Sequence, residues 1–182
     1  MASLQSSLVR LLFKYAVNWN KPVEEVRTQL QKMDSKTKLP DSADYQKTEF
    51  YDVKGEWITP KELRSEKIIL YIHGGGNCIG IVNTNRKYIA QIALEAGMKL
   101  FLPDFRLAPE FPFPAALNDC IKAYSYLLEL GFQSNKIVIV ADSSGCGLSL
   151  SMMNFFQEEG VPLPVSVHFF VRCLILPKQV NQ

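Results

Sequence analysis

From Lys67 onward the chain repeats a single pattern, a short continuous apolar run followed by a longer stretch of helical character. The runs are residues 68–72, 100–102, 137–140 and 165–171, and the stretches between them are residues 85–96, 114–130 and 145–159. Continuous apolar strands are the kind buried on both faces, and strands that alternate with helices join into a mainly parallel sheet flanked by helices. With 182 residues, 47% of them hydrophobic, the chain can remove roughly 70% of its unfolded surface from water without metals or disulfides. The pattern therefore predicts an α/β fold around one core.

The N-terminal part reads differently. Leu4, Leu8, Leu11, Leu12, Tyr15 and Trp19 recur at helical spacing and predict an amphipathic helix. Its two cations, Arg10 and Lys14, are few for a membrane surface and favour packing onto its own domain. Asn20 is expected to cap a second helix with Pro22 near its first position, Glu24 and Glu25 at its positive end, and Val23, Val26, Leu30 and Met33 as its stripe. Polar residues 34–44 read as a linker. Two β-rich runs, residues 48–53 and 56–59, flank Lys54-Gly55 and predict a hairpin. The expected organisation is thus a helical cap segment with linker over residues 1–44 and an α/β core over residues 45–182.

Twenty Lys and Arg against eighteen Asp and Glu, with no basic block, argue against a nucleic-acid partner. Cys78, Cys120, Cys146 and Cys173 lie too far apart for a zinc-ligand or redox-pair spacing and read as buried thiols, so neither metal nor cofactor is implied. No apolar run reaches the ~18 residues of a membrane span, and Arg10 and Lys14 interrupt the segment where a secretory signal would stand. A cytoplasmic location is expected.

Open α/β sheets bind ligands beyond the carboxyl ends of their strands, and two of those ends are unusual. After residues 68–72 comes His73-Gly74-Gly75-Gly76, a loop able to turn backbone N–H groups toward a developing oxyanion. After residues 137–140 comes Ala141-Asp142-Ser143-Ser144-Gly145, which places Ser143 at a strand-to-helix turn as the G-x-S-x-G arrangement does, with Ala141 at its first position. Taken alone, Ser143 is equally a helix N-cap and the glycine loop a phosphate cradle. Against a dinucleotide, Gly74, Gly76 and Gly80 have the wrong spacing, and no acidic residue ends the next strand, although Asp104 follows it in another context. Acyl transfer requires a nucleophile and separate oxyanion donors on neighbouring strands, and the sequence holds both.

Between the two loops lie Asp104-Phe105-Arg106-Leu107-Ala108-Pro109-Glu110 and Phe113-Pro114-Ala115-Ala116. With these, residues 67–150 resemble the hormone-sensitive-lipase family of α/β-hydrolases, whose HGGG, YRLAPE, FPAA and GDSAG motifs stand here in order. The resemblance implies a carboxylic ester hydrolase acting on a small ester or acyl ligand. It makes Ser143 the nucleophile and gives the oxyanion hole to the N–H groups of Gly75, Gly76 and Ser144. His73, Gly74, Asp142 and Gly145 would support these motifs, Arg106 and Glu110 would hold the adjoining loop, and the N-terminal helices would cap the acyl pocket. Asn77 departs from the family's usual aromatic, and Cys146 from its glycine.

The family's triad continues from serine to an aspartate and then a histidine, both downstream. Here no aspartate follows Asp142, the later carboxylates are Glu158 and Glu159, and the later histidine is His168 within an apolar strand. His168 reads as a core or edge-strand residue rather than a general base, and His73 lacks a carboxylate to set its tautomer. The expectation is a truncated or alternatively ended family member, nearly inactive as a chain, with residues 165–171 forming an exposed edge that promotes self-association. A non-catalytic small-ligand-binding protein and a fragment without a stable fold remain the alternatives.

Overall fold

The computed structural model describes residues 20–34 and 37–170. The amphipathic segment from Leu4 to Trp19, Cys173 and the end of the last apolar run lie outside the described residues.

The elements run α1 (Val23–Asp34), β1 (Ala43–Phe50), β2 (Val53–Pro60), β3 (Ile68–Ile72), α2 (Asn83–Ala96), β4 (Lys99–Asp104), α3 (Ala115–Glu129), a short 3-10 turn (Ser134–Lys136), β5 (Ile137–Asp142), α4 (Ser144–Glu158) and β6 (Ser166–Phe170). They build one six-stranded sheet in the order β1-β2-β4-β3-β5-β6. Strands β4, β3, β5 and β6 are parallel, while β2 joins β4, and β1 joins β2, in the antiparallel sense. The fold is thus the expected α/β class with a mainly parallel sheet.

Alternation along each central strand explains why helices cover both faces. Ile68, Leu70 and Ile72 of β3 and Ile137, Ile139 and Ala141 of β5 pack into one core with Cys120 and Tyr124 of α3 and Met152 and Phe156 of α4. Ile69, Tyr71, Val138 and Val140 face the other way, onto Ile89, Ala90 and Ala93 of α2. All five residues of β3 are buried, as its unbroken apolar sequence requires. At the sheet's outer side β6 is less covered, with Phe169 and Phe170 exposed.

Several local expectations are corrected. The hairpin turns at Tyr51-Asp52, both at positive φ (44° and 65°), and not at Lys54-Gly55, which lies inside β2. Positive φ at both central residues is what a two-residue hairpin connection demands, and the register pairs Phe50 with Val53. Gly55 serves packing instead: a Cβ there would stand 2.7 Å from Cζ of Phe101 and 3.2 Å from Cε1 of Phe50. The linker over residues 34–44 is shorter than expected, since β1 begins at Ala43. Asp34 is no linker residue either. Its buried carboxylate accepts hydrogen bonds from the backbone N–H groups of Asn83 and Thr84, closing the N-terminus of α2.

At the start of α1 the carbonyl of Pro22 accepts hydrogen bonds from the N–H groups of Glu25 and Val26. Val26 is buried whereas Met33 is exposed, so the apolar stripe is narrower than its sequence suggests. Strand β4 extends to Asp104, which therefore ends that strand after all, paired with Lys54 across the ladder. Cys120 and Cys146 are buried free thiols, whereas Cys78 is only half-buried.

Replacing Gly55 with alanine forces a methyl group into the Phe50–Phe101 aromatic contact. Gly55→Ala is expected to destabilise the fold by about 1–3 kcal/mol, read from the urea unfolding midpoint at unchanged m-value.

Candidate active site

The parallel pairing of β3 with β5 runs from Ile68 opposite Ile137 to Ile72 opposite Ala141. Both strands therefore end at the same level, and the chain leaving each arrives beside the other. From β3 emerges the His73-Gly74-Gly75-Gly76 loop, and from β5 emerges the turn at Ser143. The sheet order reverses here, since β4 lies on one side of β3 and β5 on the other, which is where α/β sheets open a crevice.

Ser143 has φ 50° and ψ −121°, a conformation that costs a non-glycine residue about 1–3 kcal/mol and persists only when its surroundings impose it. Two glycines show what imposes it. A Cβ on Gly145 would lie 2.2 Å from the carbonyl oxygen of Ile72, so the first turn of α4 passes directly over the end of β3. A Cβ on Gly74 would lie 2.4 Å from Oδ2 of Asp142 and 2.9 Å from Cβ of Ser143. The glycine loop and the serine turn are in contact, and no larger residue fits between them.

Asp142 binds the two loops together. Its Oδ1 accepts hydrogen bonds from Gly74 N–H at 2.9 Å and from the Tyr71 hydroxyl at 3.0 Å. Burial and the neighbouring Asp142 carboxylate raise the Tyr71 phenol far above its ordinary range, which keeps it a proton donor to that carboxylate. Tyr71 had no assigned part in the sequence, although a tyrosine inside an otherwise aliphatic strand announces a hydroxyl that needs a partner.

Gly75 and Gly76 both have positive φ (116° and 64°), and the carbonyl of Gly75 accepts bonds from the N–H groups of Cys78 and Ile79. Among the described residues the N–H groups of Gly75 and Gly76 donate to no protein acceptor. Ser144 stands at the first position of α4, where an N–H has no partner within the helix. These are the three donors that the sequence singled out, and they lie on loops the β3–β5 register places side by side. Ser143 itself is exposed.

His73 is 3% exposed, stacks on Phe105 at a ring separation of 4.1 Å and lies with Nδ1 2.6 Å from the carbonyl of Gly74. Its ring thus fixes the bend at the start of the loop. Burial pulls its pKa below the ordinary histidine range, so the ring stays neutral. His168 lies in β6 opposite Val140, three residues before Ser143, and its Nε2 is 3.1 Å from Oγ of Ser166. Three strand residues amount to roughly 10 Å along the sheet.

Ion pairs hold the walls. Arg106 makes a two-pronged pair with the fully buried Asp119 (2.9 and 2.8 Å), and Asp119 also accepts the backbone N–H of Arg106. Arg27 of α1 pairs with Glu110 at 2.5 Å and donates to the carbonyls of Cys78 and Ala108. One guanidinium thereby joins α1, the glycine loop and the segment after Phe105. Arg106 and Glu110 carry the loop-holding contacts expected of them, but their partners Asp119 and Arg27 were missed. Asp119 left a signal, an acidic residue on the apolar stripe of α3, whereas Arg27 left none. Beside the glycine loop lies a cleft of about 220 Å³ lined by Gly76, Asn77, Ala108, Phe111, Phe113 and Leu148. No group of three or more His, Cys, Asp and Glu side chains among the described residues is arranged to hold a metal ion. Nor is any described helix long and apolar enough to cross a membrane.

A parallel sheet carrying a strained serine turn on one strand end and a glycine loop on the next is the architecture of an α/β-hydrolase. Residues 69–179 match the family model described as the alpha/beta hydrolase fold, and the chain belongs to that family, within its hormone-sensitive-lipase branch. The chain is 32% identical over 111 residues to an acetyl-hydrolase of Streptomyces hygroscopicus, covering 61% of this chain and 37% of that protein. It is 33% identical over 105 residues to hormone-sensitive lipase of Mus musculus, covering 56% and 14% respectively. A crystal structure of an esterase from the bacterial hormone-sensitive lipase family superposes with a TM-score of 0.83 at 31% identity, over 93% of this chain and 58% of that one. A crystal structure of EstE5 soaked with p-nitrophenyl butyrate matches with a TM-score of 0.83 at 32% identity, over 92% of this chain and 57% of that one. The chain thus spans about two fifths of the length of the acetyl-hydrolase relative and under three fifths of those solved structures.

Two outcomes follow from the geometry. Gly145→Ala is expected to cost about 2–4 kcal/mol, because its methyl group meets backbone and cannot be accommodated by side-chain motion. The lowered His73 pKa makes stability pH-dependent: it is fully present above the unfolded value of about 6.5 and declines as pH falls through that value, where only the unfolded chain takes up the proton. The urea midpoint should therefore drop between about pH 7.5 and 5.5, and the drop should be smaller in His73→Phe, which keeps an aromatic ring on Phe105.

Proposed function

We propose that the chain carries the acyl-transfer site of a carboxylic ester hydrolase of the hormone-sensitive-lipase type. Ser143 is its nucleophile, and the N–H groups of Gly75, Gly76 and Ser144 are its oxyanion donors. The observation that carries this reading is the contact of the strained Ser143 turn with Gly74. That contact supports pairing the Ser143 hydroxyl with backbone N–H groups that have no acceptor among the described residues, so that a carbonyl carbon and its oxygen would be engaged together. His73, Gly74, Asp142 and Gly145 position these groups without touching the ligand. Helix α1, held through Arg27, forms part of a cap over the cleft.

In this mechanism the Ser143 hydroxyl attacks the ester carbonyl, the carbonyl electron pair moves onto oxygen, and the three N–H groups stabilise the resulting anion. Collapse expels the alcohol and leaves an acyl group on Ser143, which water then removes. Both halves need a base for the attacking proton and an acid for the leaving oxygen. Among the described residues neither stands beside Ser143, since His168 lies about three strand residues away and His73 is buried in its stack. Loss of a triad partner lowers turnover by about four orders of magnitude, so residues 1–182 alone are expected to turn over esters very slowly.

A second reading shares the site. Because the oxyanion donors and the cleft do not depend on a base, the chain would also serve as a small-ligand-binding protein without turnover.

The test is labelling with a serine-directed fluorophosphonate, together with hydrolysis of a short-chain p-nitrophenyl ester, in the wild type and in Ser143→Ala. Slow labelling and weak turnover, both abolished by the substitution, are expected. Equal labelling of Ser143→Ala would overturn the nucleophile assignment. Saturable ester binding with no labelling of the wild type would favour the binding protein.

A further inference from the structure

Backbone N–H groups stabilise a developing anion only if their directions are fixed before it forms. Residues 74–76 are all glycine, the residue with the most backbone freedom to lose, so the loop cannot fix those directions from its own sequence. Because each peptide unit is planar, just the two torsions of Gly74 separate its N–H from that of Gly75. Whatever holds Gly74 therefore aims the donor that follows it.

Gly74 is held by Asp142. Oδ1 of that carboxylate accepts the Gly74 N–H at 2.9 Å, while a Cβ on Gly74 would collide with Oδ2, so the whole group lies against the residue. A carboxylate on a rotatable side chain is no fixed point by itself. Its Oδ1 is anchored by a second donor, the Tyr71 hydroxyl at 3.0 Å. Tyr71 stands inside β3, 1% exposed, with its ring in the apolar layer it shares with Ile89, Ala90, Val138 and Val140. Phenylalanine would fill that layer as well and would spare the cost of desolvating a hydroxyl. Packing accounts for the ring, and the bond to Asp142 accounts for the hydroxyl.

Resting on the ester-hydrolase reading of the site, we infer that Tyr71 is a positioning residue for the oxyanion donors. Its hydroxyl fixes the Asp142 carboxylate, which fixes Gly74 and with it the N–H directions of Gly75 and Gly76. Two hydrogen bonds to one oxygen thus carry the rigidity of a buried strand into a glycine loop, without Tyr71 touching the acyl group. Removing the hydroxyl leaves ligand binding intact and slows the step in which negative charge develops.

The experiment compares Tyr71→Phe with Tyr124→Phe in the full chain. Tyr124 is the matched control, since its buried hydroxyl donates to the carbonyl of Pro162 at 2.7 Å within the core on the other face of the sheet. Labelling by the fluorophosphonate is followed against probe concentration, and the Gly75 and Gly76 amides are followed by NMR. In Tyr71→Phe the maximal labelling rate is expected to fall about three- to tenfold, the worth of one hydrogen bond, at an unchanged half-saturating concentration, and both amide resonances to move. Tyr124→Phe also loses a buried hydrogen bond but is expected to change neither readout. An unchanged labelling rate or unmoved amides in Tyr71→Phe overturns the positioning role and leaves Ser143 as the nucleophile. Equal effects in the two variants, or loss of cooperative unfolding in Tyr71→Phe, reduce the hydroxyl to a stabilising group and overturn that role as well. A wild type that takes no label, or labelling that survives Ser143→Ala, overturns the reading of the site and this inference with it.

Discussion

The parallel ladder between β3 and β5 governs everything at the candidate site. Its register puts Ile72 opposite Ala141, so the strands release their chains at one level and Gly74 meets the turn at Ser143. That register is itself set by burial. Ile68, Leu70 and Ile72 face one helical layer and Ile69 and Tyr71 the other, and a one-residue slip would turn each of them to the wrong face. Asp142 then converts adjacency into a bond, joining Gly74 to Tyr71 through one carboxylate oxygen.

This arrangement stores strain in a small region. Ser143 holds a backbone conformation foreign to serine, and the helix behind it approaches β3 so closely that only glycine fits at position 145. Such strain persists because the strands on which it rests are buried along nearly their whole length. Arg106 with Asp119, and Arg27 with Glu110, then brace the cleft walls from outside the sheet. Arg27 matters most for the coupling of parts, since its guanidinium reaches α1, the glycine loop and the segment after Phe105 at once.

The proposed chemistry is divided unevenly over this frame. Groups that act by position alone, the serine and the backbone donors, come from the β3 and β5 ends. Groups that would move protons are not brought to them within the described residues. His73 is committed to stacking on Phe105, and His168 is turned to Ser166 on a different level of the sheet. The likeness to esterases of known structure extends over nine tenths of this chain but under three fifths of theirs.

Sequence by itself determined the α/β class, the central strands and their helices, and the two unusual loops. Those features depend on local signals: unbroken apolar runs, helical periodicity, and glycines beside a serine at strand ends. Tertiary structure decided where the hairpin turns, because Gly55 is required by Phe101 rather than by a turn. It also decided that Asp34 closes α2, that Asp119 answers Arg106, and that Tyr71 and Gly74 share Asp142. In these cases the partner lies 13 to 71 residues away in the chain. A long-range hydrogen bond leaves no periodicity and no fixed spacing, so it becomes legible only once the sheet has brought both ends together.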